Sequence, residues 1–407
     1  MQRRSAALIL ALVVAACGPT ATGSPNTAPP TQIGLPSSGT APAGRTLRVP
    51  QDVPTPQAAV DASQPGDVVL LDRGTYDGGV HVAEGKGGIT IRGVDRNAVV
   101  FDGRDAFVDA IEVEADGVTL ENMSAHGFVA NGFYWDGVDG FAGRFLSVWN
   151  VGTYGIYALQ SRHGLIEDSL VSGAGDAAFY VGECQPCDTV LRRLVARYSA
   201  IGYSGTNAGG GLELRDSTWE KNGTAIMPNS YDGQEAPPPQ RGLLISGNVV
   251  RDSGTVPVPA NSPLAGFIGI GVAIAGGWED VVEDNEVSGS ATYGIALYPT
   301  LQRSGPAWAP NGNTIRDNTI SGSGKADLAA SQGLDPGNCF GGNTFGTSLP
   351  VQIETVLGCP ATAGNQAAGG PTVAADLAVG PPVLLDRLGP RPSYRDMPVP
   401  EPQPTMP

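Results

Sequence analysis

Three tyrosines, Tyr134, Tyr157 and Tyr180, recur at a spacing of 23 residues, and Asp136 follows the first of them by two positions. A second acid, Glu114, lies 22 residues before Asp136. Flat phenol rings suit the apolar faces of sugars, and their hydroxyls are free to hydrogen-bond. Two carboxylates about 5 Å apart can act as the acid and nucleophile of glycoside cleavage, or ligate calcium. Arg162 and His163 add the groups a uronate lyase or epimerase needs, one to neutralise a carboxylate and one to move a proton. Asp136, Glu114, His163 and Arg162 are therefore the catalytic candidates. Tyr134, Tyr157, Tyr180 and Asn229 are the substrate-binding candidates. These residues name no certain cofactor and leave the metal open, with calcium as one choice.

Such residues act together only if the chain brings them to one face, and a repeat does that. Rows opening at Ile111, Phe133, Ile156, Phe179, Tyr203 and Ile226 are 22 to 24 residues long. A steady period in this range marks a repeat architecture. The apolar runs within a row, such as Leu165-Ile166, Leu170-Val171 and Phe179-Tyr180-Val181, are too short for helices and are separated by turn residues. Three strands and three turns use up one row, which cannot bury its own apolar side but can share an interior with its neighbours. The first residue of each opening strand then points inward and the second outward. The outward column reads Glu112, Tyr134, Tyr157, Tyr180, Ser204, Met227. A parallel column reads Glu114, Asp136, Leu159, Gly182, Thr206, Asn229. Exposed tyrosine also favours strands for its own sake, so the strip has a purely structural reading as well.

A second regularity has an apolar residue followed three positions later by Ser or Asn: Ile166 and Ser169, Leu214 and Ser217, Ile245 and Asn248, Val282 and Asn285, Ile315 and Asn318. Stacked at a bend, these side chains would satisfy turn backbone otherwise left unpaired. After Ile226 the period stretches. Row starts are read at Ile270, Ile295 and Leu328, with inserts at Tyr231 to Gln240, Gly254 to Gly266 and Pro299 to Pro310. Inserts gathered on one side of a solenoid can build a binding wall.

The phrases Val281-Val282-Glu283-Asp284-Asn285-Glu286-Val287-Ser288-Gly289, Tyr293-Gly294-Ile295-Ala296-Leu297 and Asn313-Thr314-Ile315-Arg316-Asp317-Asn318-Thr319-Ile320 resemble the pectate-lyase-like right-handed parallel β-helices, including the NosD-type β-helix repeat proteins. The resemblance runs roughly from Leu47 to Pro350. It implies an all-β, right-handed parallel β-helix, on which many chemistries are found. The Asp-Pro-His-Asp run of the resembled alginate epimerases is absent. So are the Asn-Thr-Asp, Asp-Asp and Gly-His-Gly elements of polygalacturonases. This chain has Tyr134-Trp135-Asp136-Gly137 at the matching strand.

Residues 1–16 carry Arg3-Arg4 and an apolar run and read as a secretory signal. Val14-Ala15-Ala16-Cys17 resembles the bacterial lipobox, which implies lipidation of Cys17 and a cell-membrane lipoprotein on the exported face, extracellular or periplasmic. Residues 17–45 lack a core-forming composition and read as a linker. Thr55 and Pro56 suit the start of a short helix capping the coil, the coil spans 46–360, and the Pro-rich tail 361–407 reads as mostly disordered, apart from the apolar piece Pro382-Val383-Leu384-Leu385.

The formal charge of −16 with few lysines speaks against nucleic acid as a partner. Export favours disulfides. Cys339 and Cys359 would close the C-terminal end. Cys184 and Cys187 form a CxxC pair open to a structural bridge, a redox centre or half of a metal site. The expectation is a monomeric, lipid-anchored β-helix that binds or acts on a carbohydrate polymer or cell-envelope glycan, as lyase, hydrolase or epimerase. The alternative is a non-catalytic envelope scaffold or accessory protein of NosD type.

Overall fold

The computed structural model describes residues 44–234, 236–259, 269–300, 307–331, 334, 337–361 and 389–407. The signal segment, Cys17, the linker up to residue 43 and Pro382-Val383-Leu384-Leu385 lie outside them, as do parts of the three inserts.

The chain winds as a parallel β-solenoid of about 12 turns. Each full turn lays one strand on each of three faces. The first face runs from Thr46–Val49 through Val68–Leu71 to Cys339–Gly341. The second runs from Gly74–Asp77 to Thr319–Ser321. The third runs from Val80–Val82 to Ser348–Leu349. Each strand in these faces pairs in parallel with its counterpart one turn away, at about the 4.8 Å spacing of any sheet. In two turns the first and second faces are joined by single bent strands, Val118–His126 and Asp139–Val151, which kink at Asn122 and Phe145, both at positive φ.

Inside, Ile111, Phe133, Ile156, Phe179, Tyr203, Ile226, Val272, Ile295 and Leu328 form one unbroken column, each fully buried. Burial of one such side chain stabilises by about 1.5–3 kcal/mol, so stacking supplies what no single row can. One row start needs correction. Ile226 pairs with Val272, whereas Ile270 pairs with Tyr293. The run Ile270-Gly271-Val272 offers two apolar residues of the same parity, and alternation alone cannot choose between them.

The ladder at the bend is continuous. The amides of Ser217, Asn248, Asn285 and Asn318 each donate to the side-chain oxygen of the next asparagine, at 3.2, 2.9, 3.0 and 3.0 Å, ending on Asn343. Glu354, on the short helix Ile353–Val356, then accepts from both the Asn343 amide and its side chain, closing the stack with a carboxylate. The residue before each rung sits in the left-handed region, as at Asp216, Asp284 and Asp317. Asp tolerates that conformation better than most side chains.

At the other end, Thr55 Oγ1 accepts from the Ala58 amide and starts a helix over Pro56–Ala62, which buries Pro56, Ala59 and Val60. The first strand of the coil starts at Thr46, and Arg45 just before it donates from its amide and its guanidinium to the Asp67 carboxylate.

The tail also differs from its compositional reading. Residues 389–407 run back along the coil. Asn150 Nδ2 donates to Arg395 O and Met397 O, Ser172 Oγ to Pro398 O, and Asn97 Nδ2 to Gln403 O. Thr405 Oγ1 and the Met406 amide donate to Asn122 Oδ1. Met397 seats on Gly173, where a Cβ would lie 2.5 Å from it. Low apolar content argues against a self-sufficient core, but it does not prevent a segment from docking through its backbone on side chains already held in place.

Candidate functional site

Strand alternation on the third face carries a column of chemistry outward. His81, Glu112, Tyr134, Tyr157, Tyr180, Ser204 and Met227 are successive register partners. The column is open at its start and closed further on. His81 is exposed, and Glu112, Tyr134 and Tyr157 are half-buried. Tyr180, Ser204 and Met227 are 5%, 3% and 1% accessible. Met227 joins Ala273, Ala296 and Ala329 in a second apolar cluster, separate from the interior one. The accessible part of the face is therefore its N-terminal half.

The rings there form a packed group. Tyr134 and Tyr157 stack at 4.5 Å with planes 11° apart. Tyr154, which the row pattern does not place in the column, packs on Tyr157 at 4.4 Å and on Tyr180 at 5.1 Å. Burial, reinforced by nearby acids, holds all four phenols well above the ordinary tyrosine range. They are neutral hydrogen-bonding groups at any physiological pH. Asp136 adds to the rise at Tyr134, and Asp176 to the rise at Tyr154.

Beside Tyr134 the face opens into a cleft of about 310 Å³ whose lining includes His81, Phe107, Val108, Asp109 and Glu112. Burial raises the Glu112 carboxyl above its usual range, and Asp109, Glu114 and Asp136 add to the rise, with His81 opposing it. Asp109 is raised by burial too, against its bonds from Asn131. Glu114 lies across the imidazole of His81, Oε2 to Nε2 2.9 Å. A carboxyl that holds its proton more tightly than usual is the kind of group a proton donor requires.

The sequence candidates separate into three groups. Tyr134, Tyr157, Tyr180, Asp136 and Glu114 share the third face. Arg162 and His163 do not join them. They lie past the corner on the next strand, where Arg162 Nη2 reaches Asp139 Oδ2 at 2.9 Å and His163 Nδ1 reaches Asp139 Oδ1 at 2.5 Å. His163 holds the Asp139 carboxyl below its usual range, with Arg162 contributing. Asn229 is buried, accepting from Thr206 Oγ1 and donating to Met227 O, so its amide is engaged within the wall. The arginines of neighbouring rows are similarly committed. Arg192 and Arg193 pair with Glu167 at 2.7 and 2.6 Å, and Arg193 also pairs with Asp168.

His81, Asp109 and Phe107 escaped the reading from sequence. The strand Val80–Val82 is only three residues long, and its partner Ile111 lies 31 residues after Val80, longer than the rows from Ile111 to Ile226, which hides the period. Among the described residues no group of three or more His, Cys, Asp or Glu side chains is arranged to hold a metal ion. The four cysteines form two disulfides, Cys184–Cys187 and Cys339–Cys359. No described helix is long and apolar enough to cross a membrane.

No protein-family model and no curated protein sequence matches this chain. Solved structures do. The A-module of the Azotobacter vinelandii mannuronan C-5 epimerase AlgE6 is 15% identical over 71% of this chain and 90% of its own, with a TM-score of 0.47. A rhamnogalacturonan lyase is 14% identical over 79% and 92%, with a TM-score of 0.44. An alginate lyase from Paenibacillus sp. str. FPU-7 is 14% identical over 75% and 99%, with a TM-score of 0.38. These likenesses decide nothing about the chain; its stacked parallel coil is established by its own strand pairing.

Proposed function

We propose that the open half of the third face binds a carbohydrate chain, seating sugar rings on Tyr134 and Tyr157 and leading the chain into the cleft at Glu112. The single observation that carries this reading is the half-exposed Tyr134–Tyr157 stack, in register with Glu112 and two residues from Asp136 on the same strand. Any catalysis there is hydrolytic in type, with Glu112 as proton donor and Asp136 or Glu114 as the second carboxylate. Lyase and epimerase chemistry needs a cation to neutralise the uronate, and Arg162, Arg192 and Arg193 are all spent on carboxylates elsewhere. The protein is proposed to work as a monomer tethered through lipidated Cys17 on the exported side of the cell membrane.

A second reading has its own support. Tyr180 and the rest of the column beyond it are buried, as expected of an aromatic spine in an envelope scaffold. Incubating the soluble part with neutral, amino-bearing and uronic polysaccharides separates the two. Retention, or new reducing ends without unsaturation, supports the first reading. New unsaturated ends would refute the hydrolytic assignment. Failure to retain any glycan leaves the scaffold.

A further inference from the structure

On the reading that this face binds glycan, we infer that its ligand is a polysaccharide bearing protonated amino groups and that polyuronates are excluded. The phenols and the cleft supply the seat, and the surrounding charges set the sign of what can sit there. Glu112 is the register partner of Tyr134, and Asp136 lies two residues further along the Tyr134 strand, on the same side. Asp176 and Glu183 flank the strand Ala177–Gly182 that carries Tyr180, and both also act on Tyr157. Asp109 and Glu114 act on Glu112 at the cleft. Every one of these carboxylates is close enough to disfavour another negative charge.

Counter-charges are few and already engaged. His81 is held on Glu114. Arg104 reaches the cleft rim, 5.5 Å over the Phe107 ring, while its guanidinium is paired with Asp77 at 2.6 Å. The other arginine clusters of these rows, around Glu121, Glu167 and Asp139, belong to the first face and its corner. A uronate carboxylate laid on the tyrosines would meet repulsion along its whole length. An ammonium would meet attraction from the carboxylates and from the ring faces, which draw cations electrostatically. One carboxylate about 8 Å away in a half-wet groove changes binding of a unit charge severalfold, and several act together here.

The test uses the soluble protein with four-residue oligosaccharides: β-1,4-linked glucosamine, its fully N-acetylated counterpart, an uncharged glucan and a uronan. The glucosamine oligomer is expected to bind at least tenfold tighter than its acetylated form, and the difference should shrink as salt is raised. Glu183→Gln, at an acid that forms no part of the seat, should cut that preference severalfold while the uncharged oligomers bind as before. A control at acids elsewhere on the coil, Asp284→Asn with Glu286→Gln, should leave the preference intact, excluding general attraction to an acidic protein. Equal binding of the amino and acetylated forms, or a preference that follows the control pair, overturns this inference and leaves the glycan reading standing, as does tight uronan binding. No binding by any oligomer overturns both.

Discussion

Asn285→Ala tests the ladder on which the register of the whole face depends. Asn285 Oδ1 accepts from the Asn248 amide at 2.9 Å and from Asn248 Nδ2 at 3.0 Å. Its Nδ2 donates to Ile245 O, Glu283 O and Asn318 Oδ1, each at 2.9 Å. Alanine would leave the buried Asn248 N–H without its acceptor and take a donor from the Ile245 carbonyl. One orphaned buried donor costs about 1–3 kcal/mol, and each lost net bond about 1 kcal/mol. Because Asn248 Nδ2 keeps its bonds to Leu214 O and Ser246 O, the total should be about 2–4 kcal/mol. Solenoids need not unfold in one step, so a local probe is preferable to a melting temperature. Hydrogen exchange at the Asn248 amide should accelerate roughly 30- to 900-fold, at tenfold per 1.4 kcal/mol. Asn285→Ser should recover part of the loss, since Ser217 Oγ already accepts from Leu194 N at 3.0 Å in an earlier row. Unchanged exchange at Asn248 in the alanine variant would refute the view that these side chains hold the bend.

Tyr134→Ala removes the open end of the ring stack, and glycan affinity should fall at least tenfold by calorimetry at a stability cost of about 1–2 kcal/mol; unaltered affinity would move the binding surface elsewhere. Tyr157→Ala is a poorer probe, because that ring touches three others and its loss would weaken the fold as well. Asp280 is fully buried, and burial pushes its carboxyl up to about 7. Its folded value lies above the unfolded one, so the folded state binds the extra proton and stability should decline as pH rises from about 4 to about 7. Asp280→Asn should flatten that part of the denaturation-midpoint profile, with an unaltered slope assigning it to other groups. Deleting residues 389–407 removes the Pro404 carbonyl from the buried Arg96 guanidinium and the caps from Asn122. Limited proteolysis should then cut sooner near Asn97, Asn122 and Asn150, whereas cleavage at the same rate would mean that the tail adds nothing to these turns.

The period, the three-strand row and the ladder were legible because each rests on a local rule repeated many times: Phe133, Ile156 and Phe179 must face inward together, or none can. The outward column followed from the same alternation. Which part of that column is open was not legible. Tyr134 and Tyr180 occupy equivalent register positions, yet one is half-exposed and the other covered, and a parity rule carries no information about what packs over the outside. Arg162 and His163 stood near the face in sequence but turned away at the corner. Asp139 lies directly across the sheet from Arg162, and an opposite charge one strand away outcompetes a more distant one. His81 was hidden by a short strand in a row longer than those that directly follow it. The docking of residues 389–407 was not legible because composition reports whether a segment can fold by itself, not whether a finished surface awaits it.

The returning tail makes the coil a closed mechanical circuit. Gly44 enters at the first turn, and Gln403 to Met406 finish against Asn97 and Asn122, only a few turns further on. A load applied between Gly44 and Met406 would first peel the contacts at Asn122 and Asn97. The stacked turns, paired strand by strand along the axis, would stay out of the line of force until that zip had opened.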